Sequence, residues 1–207
     1  LPEPLRQWMP RFVPNIAAVL TFTEGMLLRF SGATPAIASR LAFLSHIFPL
    51  PAIEISHFLG SVSGALLLIV ARGLWRRIEA AYAVTLALIG AGILLSLVKG
   101  LDYEEALVLC LLLVILLPCR RFFYRRSTLV GMRFSPYWTA AIALVTLSSL
   151  WLFLFSFKHV GYSQDLWWQF TLHGDAPRAM RAVAGSVTAL FLYVFARLLY
   201  PAPAMVT

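Results

Sequence analysis

Apolar residues fall along this chain in blocks of about twenty, separated by short segments rich in charge, glycine or proline. A helix of that length rises about 30 Å, the thickness of a bilayer's hydrocarbon core. The pattern predicts about six such spans, over roughly 12–30, 52–72, 79–99, 104–119, 137–157 and 179–199. Between the first two, Thr34–Leu44 is too short to cross and mildly amphipathic. Thr34 suits an N-cap and Pro35 the first helical position, which predicts a short helix lying at the membrane surface. The expected fold class is all-α integral membrane, with about six transmembrane helices plus that interfacial helix. Composition fits: 60% of the 207 residues are hydrophobic and 13% are charged, about half the charged share of a soluble domain.

The charges are not spread evenly. Arg72, Arg76 and Arg77 lie between spans two and three, and Arg120, Arg121, Arg125, Arg126 and Arg133 between spans four and five. With Arg6, Arg11 and Arg197, one side of the membrane takes 11 of the 17 basic residues and two of the nine acids, Glu3 and Glu79. By the excess of arginine and lysine on cytoplasmic loops, that side and both termini are expected to be cytoplasmic. The net charge of +8 is thus topological in origin. Nucleic acid is not required as a direct partner, while Arg120–Arg126 would attract anionic lipid headgroups.

The chain opens Leu1-Pro2-Glu3-Pro4, with no initiator methionine and no cleavable leader. It ends on Tyr200-Pro201-Ala202-Pro203-Ala204, which reads as a Pro/Ala linker. The expected organisation is a polytopic membrane domain over 1–200 and, at 201–207, the start of a linker within a longer polypeptide. Cys110 and Cys119, nine residues apart on one span, fall on opposite faces too far apart to bridge.

Charged groups near membrane depth are costly and suggest function. On the outer side stand Glu24 and Arg29 late in span one, and Glu54 and His57, three apart and on one helical face. Lys99 closes span three, and Asp102, Glu104 and Glu105 open span four. Lys158, Asp165, His173, Asp175, Arg178 and Arg181 complete the set. Mixed charge of this kind suits a zwitterionic or multiply charged headgroup, carboxylates for an amine and arginines for a phosphate. Plainer roles are open beside it. Asp102 and Glu105 have capping-box spacing, and Asp175 before Ala176-Pro177 looks like an N-cap. Trp167 and Trp168 suit interfacial anchors, Glu54 and His57 can pair with each other, and Gly60-xxx-Gly64 is a helix-packing motif.

Signatures of soluble enzymes are missing. Gly60-Ser61-Val62-Ser63-Gly64 puts valine where a nucleophile elbow needs serine, and there is no His-Glu-x-x-His, Walker loop or dinucleotide fingerprint. No catalytic residue, metal site or cofactor is expected within the chain.

Four segments carry a family resemblance: KGLDYEEA (99–106), FKHVGYSQDLWWQF (157–170), GDAPRAMRA (174–182) and SGATPAIASRLAFLSHIFPLPAIEISHFLGS (31–61). In order and over nearly the whole chain, they resemble the C-terminal membrane half of the bacterial aminoacyl-phosphatidylglycerol synthase/flippase, or multiple peptide resistance factor. The resemblance implies a multi-pass protein of the bacterial cytoplasmic membrane. A cytoplasmic synthase domain, beginning after Pro201–Pro203, would transfer lysine or alanine from aminoacyl-tRNA to phosphatidylglycerol. The membrane region would move the product to the outer leaflet, weakening the attraction of cationic antimicrobial peptides. The implied partners are phosphatidylglycerol and its aminoacyl derivative, the synthase domain and a preceding flippase subdomain. Aminoacyl-tRNA enters only through the synthase, and a second copy of the chain is a further candidate.

On that reading Asp102, Glu105, Asp165 and Asp175 receive an aminoacyl amine, and Lys158 and Arg178 hold the phosphate. Glu24, Glu54 and His57 form a secondary polar cluster. The rival expectation is a scaffold that docks the synthase and presents phosphatidylglycerol without translocating lipid.

Overall fold

The computed structural model describes residues 3–34, 38–126, 135–156 and 175–199, and among these every extended element is helical. In chain order they are α1 (Glu3–Ala33), α2 (Ala38–Ser45), α3 (Leu50–Trp75), α4 (Glu79–Gly100), α5 (Tyr103–Leu116) with a 3-10 turn over Leu117–Phe122, α6 (Pro136–Ser156) and α7 (Asp175–Leu199). Phe12–Ala33, Pro51–Trp75, Glu79–Gly100 and Pro136–Ser156 are long and apolar enough to cross a membrane. Large apolar side chains such as Leu94, Leu107, Val114, Leu144 and Trp151 lie exposed on the outside of the bundle, as a lipid solvent allows.

Two expected spans are built differently. Pro118 has no N–H to donate and its ring crowds the preceding turn, so α5 ends at Leu116 after 14 residues and continues as the six-residue 3-10 turn. The composite rod is about 33 Å long, at 1.5 Å per α residue and 2.0 Å per 3-10 residue. Within α7, the apolar stretch is the shorter Ala179–Val194.

The centre of the fold is the pairing of α1 with α3, which works by removing side chains. A Cβ on Gly25 would stand 2.8 Å from the Gly64 carbonyl oxygen, and one on Gly64 would stand 2.9 Å from that of Gly25. Gly32 meets Ser61 in the same way one pair of turns further on. The backbones therefore touch, the arrangement that small residues allow in membranes. The partner of Gly64 is Gly25 rather than Gly60, whose nearest neighbour is Lys99 Cδ at 3.9 Å. Apolar packing of Leu28, Leu67, Leu74, Ile89, Leu109 and Leu112 extends this seam to α4 and α5.

The arginine-rich turns come together at one end. Ile78 and Arg125 form an isolated bridge, with Glu79 N–H donating to the Arg125 carbonyl and Arg125 N–H to the Arg77 carbonyl, each at 3.0 Å. Arg77 takes the left-handed conformation (φ 62°) to allow this and donates from Nη1 to the Tyr124 hydroxyl. Below, Tyr82 stacks on Phe123 and donates to the carbonyls of Leu116 and Leu117, where α5 changes to 3-10 geometry. The two basic turns thus meet at one end of the bundle.

At the opposite end the α4–α5 turn reverses on Leu101, a left-handed residue (φ 51°) whose side chain packs with Leu44 and Ile53. Gly100 serves clearance instead: a Cβ there would sit 3.3 Å from both carboxylate oxygens of Asp102.

Candidate functional site

The α4–α5 reversal builds a charge cluster because it brings the last turn of α4 beside the first turn of α5. Lys99, 2% exposed, donates from Nζ to Glu105 Oε1 (2.9 Å), Glu105 Oε2 (2.8 Å) and Ser31 Oγ (2.8 Å). Asp102 Oδ2 lies 3.7 Å from the same nitrogen. Ser96, one helical turn before Lys99, donates to Glu105 Oε1 at 2.6 Å. An alkylammonium with three donors is thus met by a bidentate carboxylate, a hydroxyl and a second carboxylate: a complete ammonium site, filled by the protein's own lysine.

A second layer ties α2 to it. Arg40 forms a two-pronged pair with Glu104 (Nη2–Oε1 2.6 Å, Nη1–Oε2 2.9 Å), sits 4.5 Å from the Tyr103 ring centroid and lies 3.8 Å from Asp102 Oδ1. Burial raises the Asp102 carboxyl above its ordinary value, against the opposing pull of the Lys99 charge. The Arg40 guanidinium is shifted upward, chiefly by its hydrogen bond to Glu104.

The capping box expected of Asp102 and Glu105 does not form. Asp102 holds the N-cap position of α5 without a side-chain capping bond, and Glu105 is turned to Lys99 and Ser96. A full charge with two hydrogen bonds outcompetes one exchanged with a backbone N–H.

Glu54 and His57, both buried on α3, reach across to other helices. Arg181 of α7 donates to Glu54 Oε2, and His57 Nε2 lies 3.1 Å from the Gly32 carbonyl oxygen on α1. Glu24 is 4% exposed, and its Oε2 has no hydrogen-bond partner. It stands two turns before Ser31 on α1, about 10 Å along the axis. Arg29, on another face of α1, donates from Nη2 to Ser149 Oγ of α6 at 2.8 Å.

Of the residues expected to hold an amine, Asp102 and Glu105 come together. Asp165 and Lys158 lie outside the described residues, as do His173, Trp167 and Trp168. Asp175 is the first residue of α7, and Arg178 is in its first turn; their side chains are outside the description. Lys99, expected only as one of the outer charges, stands at the centre, and two contributors had not been weighed at all: Ser31 and Ser96. The signal was available for Ser96. Ser96 and Lys99 are three apart on one helical face, and Lys-Gly-Leu-Asp reads as a tight reversal between two spans. Ser31 comes from a helix remote in sequence and gave no such hint. Among the described residues, no histidine, cysteine and carboxylate group has the makeup of a metal site. No protein-family model matches the chain, and no curated protein sequence matches it.

Proposed function

We propose that the chain is the membrane module of a bacterial aminoacyl-phosphatidylglycerol synthase/flippase, binding or translocating the aminoacylated lipid in the cytoplasmic membrane. In this reading α1, α3, α4, the α5 rod, α6 and α7 are its six spans, the arginine-rich end faces the cytoplasm, and the synthase follows α7. The supporting observation is the ammonium site of Glu105, Asp102 and Ser31. It lies at the end where a lipid's polar head would be, and its occupant, a lysine side chain, has the chemistry of a lysyl headgroup. Lys99 then acts as a resident placeholder that an incoming aminoacyl amine displaces. Asp165, Asp175, Lys158 and Arg178 remain part of the proposal as the wall that receives the rest of the headgroup.

The test is lipid retention by the purified chain, read by native mass spectrometry with lysyl-phosphatidylglycerol and phosphatidylglycerol in equal amounts. Wild type is expected to prefer the lysyl lipid and Glu105→Gln to lose the preference. Lys99→Met, which vacates the ammonium position, is expected to strengthen it. Equal retention of both lipids by all three proteins would sink the reading.

A second reading, a scaffold that docks the synthase, draws on the other end. The backbone bridge between Ile78 and Arg125 holds two arginine-bearing turns as one surface, the sort of fixed platform a docked domain needs. Under it Lys99→Met weakens the fold and improves binding of neither lipid.

A further inference from the structure

Arg29 is a deeply buried charged side chain whose burial the fold leaves largely uncompensated. It is 1% exposed, and of its three guanidinium nitrogens only Nη2 has an acceptor; Nε and Nη1 are buried without one. That acceptor is a neutral hydroxyl, which itself donates to the Thr146 carbonyl at 2.9 Å. The nearby acids are engaged elsewhere: Glu105 with Lys99, Glu104 with Arg40 and Glu54 with Arg181. Glu24, five residues earlier on the same helix, projects about 140° away. A guanidinium stays charged and is costly to desolvate without a counter-ion. Its fork geometry fits the paired oxygens of phosphate.

The surroundings say how an anion would reach it. Arg29 lies four residues before the end of α1, about 6 Å along the axis. Its cover is α6, whose buried residues are Val145, Ser149 and Phe153. These stand four apart on one face, so α6 touches its neighbours along a single stripe with the Arg29 contact at the centre. At the basic end α6 is pinned by Trp138, whose Nε1 donates to the Leu68 carbonyl at 3.3 Å and whose ring meets Phe22 and Trp75 edge-on. At the far end, Phe153 packs in an apolar layer with Ala33, Ala179 and Val183.

We infer that Arg29 and Ser149 form a lateral seat for a phosphate group, of the kind carried by a glycerophospholipid or by free phosphate, reached when α6 swings about Trp138. The seat is distinct from the ammonium site and requires no aminoacyl group.

The experiment is thermal melting of the delipidated chain in mild detergent with and without dioleoyl phosphatidylglycerol. The lipid is expected to raise the wild-type melting temperature by several degrees, and dioleoylglycerol, which lacks the phosphate, to leave it unchanged. Arg29→Met is expected to melt no lower than wild type without lipid, having lost an uncompensated charge, and to show no lipid shift. Arg29→Lys, with charge but no fork, is expected to keep half the shift or less. A full shift in either variant overturns the inference. So does an Arg29→Met protein that melts well below wild type without lipid or fails to fold, because Arg29 is then a structural residue. An equal shift from dioleoylglycerol also overturns it. Inorganic phosphate that reproduces the shift and competes with the lipid assigns the seat to a free anion; phosphate without effect assigns it to the lipid. Lysyl-phosphatidylglycerol carries the same phosphodiester, so equal shifts from both lipids keep the seat and remove the aminoacyl preference.

Discussion

The two ends of this bundle are both rich in charge and handle it in opposite ways. At the basic end Arg120, Arg121, Arg125 and Arg126 are exposed, and the two turns are joined through backbone atoms. At the other end Glu54 and Lys99 are buried, and their ion pairs hold helices together. Exposed charge tolerates change because water and ions replace whatever is lost. Buried charge does not, because removing one partner leaves the other desolvated. The first end is therefore a surface with a sign, and the second a set of charges in mutual balance.

Lys99→Ala bears hardest on this contrast. It strands the Glu105 carboxylate, and a loss of about 3 kcal/mol in unfolding free energy is expected, measured by denaturant titration in mixed micelles. Next comes the seam that keeps both ends in register: Gly64→Ala puts a methyl 2.9 Å from the Gly25 carbonyl oxygen, at a cost of about 1–3 kcal/mol by the same titration. Tyr82→Phe removes the hydroxyl that donates to Leu116 and Leu117, and about 1 kcal/mol is expected from it.

A smaller effect depends on pH. Because burial raises the Asp102 carboxyl above its ordinary value of 3.8, its charged form is disfavoured in the folded protein. Its contribution to stability is fully present below the unfolded-state value and declines as pH rises through the folded one. Asp102→Asn removes that decline, so its melting temperature relative to wild type is expected to climb with pH across that window. Smallest of all, Arg125→Ala keeps the backbone bridge and is expected to change stability by less than about 0.5 kcal/mol. A large loss there would erase the distinction between the two ends.

What the sequence made legible follows the range of each interaction. Block length placed four long helices because it depends only on consecutive residues, and Pro118 marks the point where α5 gives way. The packing motif was half right: Gly64 belongs to the seam, but its partner Gly25 lies on another helix. For Asp102 and Glu105 the local spacing suggested a cap, and a lysine across the turn claimed the carboxylate instead. Glu54 and His57 were rightly placed on one face, while the groups that meet them sit on α7 and α1. Arg29 reaches Ser149 over a separation of 120 residues, and no local pattern announces such a pairing.

The one-sided attachment of α6 also bears on how the molecule is made. Synthesis delivers helices in order, and earlier parts fold first. The glycine seam can close as soon as α3 is in the membrane, with Arg29 already fixed on its rim and the helix that will cover it still on the ribosome. For that interval the guanidinium lacks its Ser149 acceptor. If Arg29 and Ser149 seat a phosphate as inferred above, nascent Arg29 can meet lipid phosphate before it meets Ser149, and α6 arrives as a late cover.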